Sequence, residues 1–220
     1  MAKTLLQSVN LYCERDQRVL FENLDISVSA GEVLQVEGPN GSGKTTLLRI
    51  LTGLSDAYEG DLLWQGQPLQ KVRESYYQEM QYLGHSAGIK QALTAEENLQ
   101  WYAVIQAGHL NAGSSSQQRA GNIADILAKV GLRGYEDVPC HTLSAGQQRR
   151  VNLARLYLSS ATLWILDEPF TAIDKNGIAT IETLIEEHVK SGGTVIITTH
   201  QDLKSVPNLR KITLGEVLPA

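Results

Sequence analysis

Cysteine is scarce. Cys13 and Cys140 are the two in 220 residues, too few for the disulfide framework that staples small secreted domains. A reducing compartment is therefore expected, with each thiol read as a small core residue without chemistry. Long hydrophobic runs are missing as well. No stretch approaches the roughly 18 consecutive apolar residues of a membrane span. The opening Met1-Ala2-Lys3-Thr4-Leu5-Leu6-Gln7-Ser8 lacks the apolar run of a secretory leader. The expectation is a cytosolic chain that another polypeptide must hold at any membrane it serves. Positive charge is short too: 19 Lys and Arg against 24 Asp and Glu leave a formal net charge of -5. That balance argues against a general nucleic-acid binder, which would usually be basic. Repeats are absent, and Ser114-Ser115-Ser116 is too short to be low-complexity sequence.

What is present is an ordinary globular composition, 42% apolar and 20% charged, in a length that suits one large domain or two small ones. The chain is organised around Gly38-Pro39-Asn40-Gly41-Ser42-Gly43-Lys44-Thr45-Thr46. The apolar run Val33-Leu34-Gln35-Val36 leads in and Leu47-Leu48-Arg49-Ile50-Leu51 follows, which reads as strand, loop, helix. The G-x-x-x-x-G-K-T spacing is that of a phosphate-binding P-loop. Its glycines let successive backbone N–H groups curl around an anion without Cβ clashes. The helix that follows points its positive end at the same place. Lys44 supplies a point charge for the outer phosphates, and the Thr45 hydroxyl can ligate Mg²⁺. A dinucleotide fingerprint is the competing glycine reading, but Gly41-x-Gly43 runs into Lys and Thr without a third glycine. The expected ligand is a nucleoside triphosphate.

Around this loop, residues 4–36 alternate short apolar runs with turn-like breaks, and Leu24-Asp25-Ile26-Ser27-Val28 alternates with the period of a half-buried strand. With a hairpin signalled at 59–68, they should form a small antiparallel sheet leaning on the nucleotide site. Thr94-Ala95-Glu96-Glu97 is a capping-box pattern ahead of Leu99, Tyr102 and Ile105 at helical spacing. A Gly/Ser/Asn loop at 108–116 and a second helix at 118–130 complete an expected helical subdomain over about 85–144. The flanking stretches 1–84 and 145–220 should form the α/β core of a single domain over 1–220. Helices at 145–159 and 178–190 alternate with buried strands at 163–166 and 194–199, the pattern of a mostly parallel sheet covered on both faces. Ligands of such sheets sit at the carboxyl ends of the strands. Asp167 and His200 both follow strands there.

Leu163-Trp164-Ile165-Leu166-Asp167-Glu168 is an apolar strand ending in two carboxylates, the Walker B form. It can bring Asp167 to the Mg²⁺ and Glu168 to a water attacking the γ-phosphate. Beside a P-loop, His200 reads as a donor aimed at that phosphate. Leu143-Ser144-Ala145-Gly146-Gln147 opens a helix with a hydroxyl at its N-cap, another anion-binding helix end. Taken with Thr171-Ala172-Ile173-Asp174, these five motifs in this order resemble the ATP-binding-cassette (ABC) ATPases over nearly the whole chain. The resemblance implies an ATPase that works as a head-to-tail homodimer sandwiching two ATP molecules. Ser144, Gly146 and Gln147 would then complete the site of the opposite subunit, and Asp174 would lie in the loop that communicates between the sites.

Two positions depart from that family. His85, in Met80-Gln81-Tyr82-Leu83-Gly84-His85, stands where a glutamine usually touches Mg²⁺ and water; a neutral imidazole can accept from water but is a poorer Mg²⁺ ligand. The adenine-stacking aromatic falls by register on Arg15, with Tyr12 three residues earlier, and a guanidinium can stack on a base. At finer grain, Cys13-Glu14-Arg15-Asp16, Leu63-Trp64-Gln65-Gly66-Gln67-Pro68-Leu69, Gly84-His85, Gly88-Ile89-Lys90, Leu143-Ser144-Ala145-Gly146-Gln147-Gln148-Arg149-Arg150 and the run from Leu163 to Asp174 together resemble the CcmA family, the ATPases of bacterial cytochrome c maturation. That resemblance implies a pair of these chains under the integral membrane protein CcmB at the cytoplasmic face of the inner membrane, with CcmC alongside. Hydrolysis would drive haem export or release of the haem-loaded chaperone CcmE. The residues themselves show no haem site: Cys-x-x-Cys-His is absent, and His109, His141 and His188 read as surface or loop residues. Ile89, Leu93, Trp101 and Tyr102 would either face the membrane partner or fill the subdomain core. The ATPase of another bacterial ABC exporter shares every catalytic motif and stays open, as, further off, does a non-transport ABC ATPase. A P-loop kinase would lack 143–147.

Overall fold

The computed structural model describes residues 3–86, 88–109, 123–203 and 206–215, with 107–109 as backbone only. It falls into two compact units. One comprises Met1–Tyr82, Ala161–Glu168 and Ile185–Ala220, the other Leu83–Ser160 and Pro169–Leu184. The second unit thus takes in stretches on both sides of 161–168, beyond the 85–144 insert that the sequence suggests. Among the described residues, no helix is long and apolar enough to cross a membrane.

The first unit holds both sheets. β1 (Thr4–Arg15) and β2 (Arg18–Ser29) are 12 residues each, antiparallel, closed by Arg15 opposite Arg18. The two turn residues, Asp16 and Gln17, both have positive φ, 53° and 63°, as the two-residue hairpin turn that matches strand twist requires. Sequence patterning suggests shorter runs here for a physical reason. The β1–β2 register shifts four times along its length, and each irregularity breaks the simple inside–outside alternation. β4 (Glu59–Trp64) pairs with β1, and β5 (Gln67–Pro68) turns back on β4, giving the order β2-β1-β4-β5.

The other sheet has the order β6-β7-β8-β3-β9, with β6 at Met80–Leu83, β7 at Leu163–Asp167, β8 at Thr194–Thr198, β3 at Val33–Glu37 and β9 at Leu209–Thr213. The β7–β8, β8–β3 and β3–β9 pairs are parallel. Every residue of β7 and β8 is buried, which is why both read as unbroken apolar runs. Val36 and Asp167 both pair with Thr198, so the three central strands end level. α1 (Lys44–Leu51) buries Leu47, Leu48, Ile50 and Leu51 in a core shared with Leu34, Val36, Ile165 and Ile196. Each such side chain contributes roughly 1.5–3 kcal/mol. α2 (Arg73–Glu79) buries Tyr76, whose hydroxyl donates to the Leu51 carbonyl at 2.6 Å.

His188 departs from its reading as a surface residue. It lies near the end of α6 (Lys175–Lys190), its ring stacked on Trp164 with centroids 3.7 Å apart. Glycine at 193 makes room, since a Cβ there would come within 2.3 Å of the imidazole. A half-exposed amphipathic helix gives no local sign of this; the stack is made by β7, distant in sequence.

The second unit is helical: α3 (Ala95–His109), α4 (Ile123–Lys129) and α5 (Ala145–Ala154), the last continued by a 3₁₀ turn, Arg155–Leu158. The first part of the helix expected at 118–130, and residues 110–116 of the expected loop, lie outside the described residues. Leu99, Leu127, Leu132, Val151, Ala154 and Cys140 form its core. The Thr94 and Glu97 side chains exchange the two capping-box hydrogen bonds that their spacing suggests, 3.1 and 2.8 Å. Fully buried Asn98 gathers the preceding loop, accepting from Lys90 N–H at 2.8 Å and donating to the Lys90 and Thr94 carbonyls. Burial pushes the Cys13 and Cys140 thiols up from their ordinary range, away from thiolate reactivity.

Candidate active site

The P-loop leaves β3 and enters α1 through Gly38, Gly41 and Gly43, all at positive φ. Gly38 is the tightest: a Cβ there would sit 2.5 Å from the Leu214 carbonyl and 2.7 Å from Ser42 Oγ. Gly41 faces open space, leaving a cradle of backbone amides at the start of a helix with no acidic residue in its first turn. Lys44 is largely buried, its ammonium donating to the Gly38 and Pro39 carbonyls at 2.7 and 3.1 Å. Ser42 Oγ is enclosed with no hydrogen-bond partner among the described residues. An unsatisfied hydroxyl and a retained ammonium inside a concave loop suit an anion. Pro39 and Asn40 shape the loop's outer edge; Thr45 is exposed and Thr46 half-buried on the first turn of α1.

At the level ends of β7 and β8, Asp167 is 1% exposed and its Oδ1 accepts from the Thr198 hydroxyl at 2.7 Å. Glu168 follows with φ 48°, a left-handed conformation uncommon outside glycine. Its N–H donates both to Thr198 Oγ1 at 2.9 Å and to the Thr198 carbonyl at 3.1 Å. His200 Nε2 lies 3.6 Å from Glu168 Oε1 on a mostly exposed side chain. The first unit therefore gathers P-loop, Asp167, Glu168 and His200 at one end of its parallel sheet. Sequence reasoning passes over Thr198; the one available signal is a hydroxyl ending a buried run of Val and Ile.

Arg15 is largely exposed, beside a groove of about 300 Å³ that Thr46 and Arg49 also line. The stacking position expected on Arg15 thus opens on the same groove as the end of the P-loop. Tyr12 instead points its hydroxyl at Glu14, 2.8 Å away.

In the second unit, Ser144 caps α5 through a complete capping box with Gln147: Ser144 Oγ accepts from Gln147 N–H, and Gln147 Oε1 from Ser144 N–H. Gly146 lies against the Ala172 carbonyl, where a Cβ would come within 2.7 Å. Asp174 Oδ1 accepts from Arg150 at 2.6 Å and from Gly177 N–H at 2.9 Å, capping α6. Residues 143–150 and the 171–174 motif thus meet twice within one unit, at Gly146–Ala172 and at Arg150–Asp174. His85 is exposed, and its carbonyl and that of Gly84 accept from Arg149 at 3.2 and 2.8 Å. Arg149 is 5% exposed, and it too escapes sequence reasoning: nothing in Gln147-Gln148-Arg149-Arg150 distinguishes a buried arginine from a surface one.

One unit with a parallel sheet, a phosphate cradle and paired carboxylates at its carboxyl ends, and a second, helical unit that carries the 143–147 motif, together define a nucleotide-binding ATPase cassette. Residues 21–171 match the family model of the ABC transporter. The chain is 53% identical over 213 residues to the cytochrome c biogenesis ATP-binding export protein CcmA of Vibrio vulnificus strain YJ016, covering 96% of this chain and 100% of that one. It is 51% identical to the CcmA of Pseudomonas putida strain KT2440, covering 96% and 97%. Among solved structures, a putative ABC transporter ATP-binding protein of Pyrococcus furiosus superposes with a TM-score of 0.76 at 26% identity over 95% and 96% of the two chains. The cassette MJ0796, in a dimeric post-hydrolysis state bound to ADP and phosphate, superposes with a TM-score of 0.79 at 22% identity over 96% and 94%, a likeness of fold. The chain belongs to the ABC transporter ATPases and, among them, to the CcmA family. It binds nucleotide and is an ATPase.

Proposed function

We propose that this chain is the ATP-hydrolysing subunit of a membrane complex in c-type cytochrome biogenesis, energising haem export or release of a haem-loaded chaperone. The observation that carries the chemistry is the bonded set Asp167–Thr198–Glu168 beside the P-loop. The biological assignment rests on half-identity to CcmA proteins over nearly their whole length. In this reading Gly38, Pro39, Asn40, Gly41, Ser42, Gly43, Lys44, Thr45 and Thr46 hold the triphosphate, with Arg15 against the base. Thr45 and Asp167 would hold Mg²⁺, which would supply positive charge against the triphosphate. Glu168 polarises the attacking water, and His200 donates toward the γ-phosphate. The opposite copy supplies Ser144, Gly146 and Gln147, while Asp174 and His85 report on occupancy.

The pair of ATPase chains would sit under CcmB at the cytoplasmic face of the inner membrane, with CcmC and CcmE as functional partners. Haem selectivity would belong to those subunits, and neither haem nor nucleic acid would be bound here. Trp101, Val104 and Ile105 leave apolar surface on α3, and Lys90 lies over the Trp101 ring; this face supports a docking role near 85–105. The test is a Glu168→Gln chain expressed with its membrane companion. With Mg²⁺ and ATP it should be trapped as a dimer and co-purify with an integral protein. A chain that stays monomeric, or that comes away from membranes alone, would overturn the proposal.

A further inference from the structure

The hydroxyl of Thr198 is bonded to both acidic residues at the end of β7, and none of the motifs described above includes it. We propose that Thr198 is a positioning residue for ATP hydrolysis, setting the Asp167 carboxylate and the Glu168 backbone as one unit. The inference rests on the reading of Glu168 as the residue that polarises water.

A hydroxyl has a single proton. Thr198 Oγ1 gives it to Asp167 Oδ1 at 2.7 Å, a charge-assisted bond. Only its lone pairs remain for Glu168, whose N–H approaches to 2.9 Å. The polarity of the chain is therefore fixed: Glu168 N–H to Thr198 Oγ1–H to Asp167 Oδ1. Each end does different work. At Asp167 the bond pins one oxygen of a carboxylate that is 1% exposed, restricting rotation of the group proposed to meet Mg²⁺. At Glu168 it helps hold a residue at φ 48°, a conformation that a non-glycine residue keeps only when its surroundings over-determine it. That turn decides where the Glu168 side chain leaves the strand, 3.6 Å from His200.

Packing alone does not call for threonine here. Thr198 is fully buried and ends the run Thr194-Val195-Ile196-Ile197, where valine has the same shape and equal strand preference. Threonine is also stiff about χ1, so the backbone of β8 fixes its oxygen; serine would keep the oxygen and lose part of that stiffness. An oxygen held by β8 and bonded to the last residue of β7 and to the residue after it ties the strands by side chain at the point where their paired register ends.

The experiment compares wild type, Thr198→Val, Thr198→Ser and Glu168→Gln as full-length chains, reading phosphate release, KM for ATP, ATP affinity and melting temperature. Thr198→Val should lower kcat roughly ten- to a hundred-fold, the effect of one bond to a charged group. KM and ATP affinity should stay within about threefold, because the P-loop is untouched. Thr198→Ser should recover all but about fivefold of the rate. A Thr198→Val enzyme within twofold of wild-type kcat, with Glu168→Gln inactive, overturns the proposal. So does a serine variant as slow as valine, since the oxygen would then be irrelevant. If Thr198→Val does not fold, Thr198→Ala against Thr198→Ser applies the same criterion. A Glu168→Gln chain that hydrolyses at the wild-type rate would instead overturn the reading of Glu168 beneath it.

Discussion

Arg149→Met is the substitution whose consequence can be worked most directly from the structure. The Arg149 guanidinium is buried on α5 and donates at 2.8 Å to the Gly84 carbonyl and at 3.2 Å to that of His85, with a longer contact of 3.4 Å to Pro169. Methionine keeps the apolar stem and removes the donors. Two sound bonds from a charged group contribute roughly 3–6 kcal/mol together. Relief from burying a cation, and access of water to the exposed His85 loop, offset about half of that. A net loss of roughly 1.5–3 kcal/mol remains, which in a chain of this size lowers the melting temperature by about 3–12 °C. Arg149→Lys should regain less than half, because one ammonium cannot span carbonyls that a planar fork bridges. Equilibrium denaturation gives the free energy. If Arg149→Met unfolds within about 0.5 kcal/mol of wild type, the range of a neutral surface change, the clamp has been misjudged.

His85 gives a second expectation. A neutral imidazole can accept from water but is a poorer Mg²⁺ ligand than an amide carbonyl. His85→Gln should therefore reach half-maximal ATPase activity at a lower Mg²⁺ concentration than wild type. Identical Mg²⁺ dependences would remove any special role for the ring. His188 gives a third. Burial against Trp164 drives its pKa from 6.5 down to about 4, with weak opposition from the Thr162 and Thr194 backbone. The unfolded chain therefore takes up this proton below about pH 6.5 and the folded chain only near pH 4. Stability from this group is complete above pH 6.5 and declines as the pH falls toward 4, by up to roughly 3 kcal/mol. His188→Phe, which keeps the stack, should show a correspondingly shallower loss of stability between pH 7 and 4.5; parallel curves for the two proteins would refute the assignment.

Much of this was written along the chain. The P-loop, the carboxylates after 163–166 and the serine-capped helix are contiguous motifs, because a phosphate cradle or a helix cap is built from neighbouring residues whose spacing reflects backbone geometry. Unbroken apolar strands likewise announced a sheet buried on both faces. The long β1–β2 hairpin was harder to see. Its turn uses Asp16 and Gln17 rather than glycine, and its irregular register spoils the alternation. Thr198, Arg149 and His188 could not be read locally at all. Each owes its role to a partner brought in from elsewhere: Asp167 and Glu168 across a strand pair, Gly84 and His85 some 65 and 64 residues away, and Trp164 beneath a helix. The sequence by itself determined the ligand class and the order of strands and helices, since both depend on short-range spacing. Only tertiary structure decided which hydroxyl steadies the carboxylates, which arginine is buried and which histidine is kept from protonation, because burial and hydrogen-bond partners are properties of packed elements and not of neighbours in the chain.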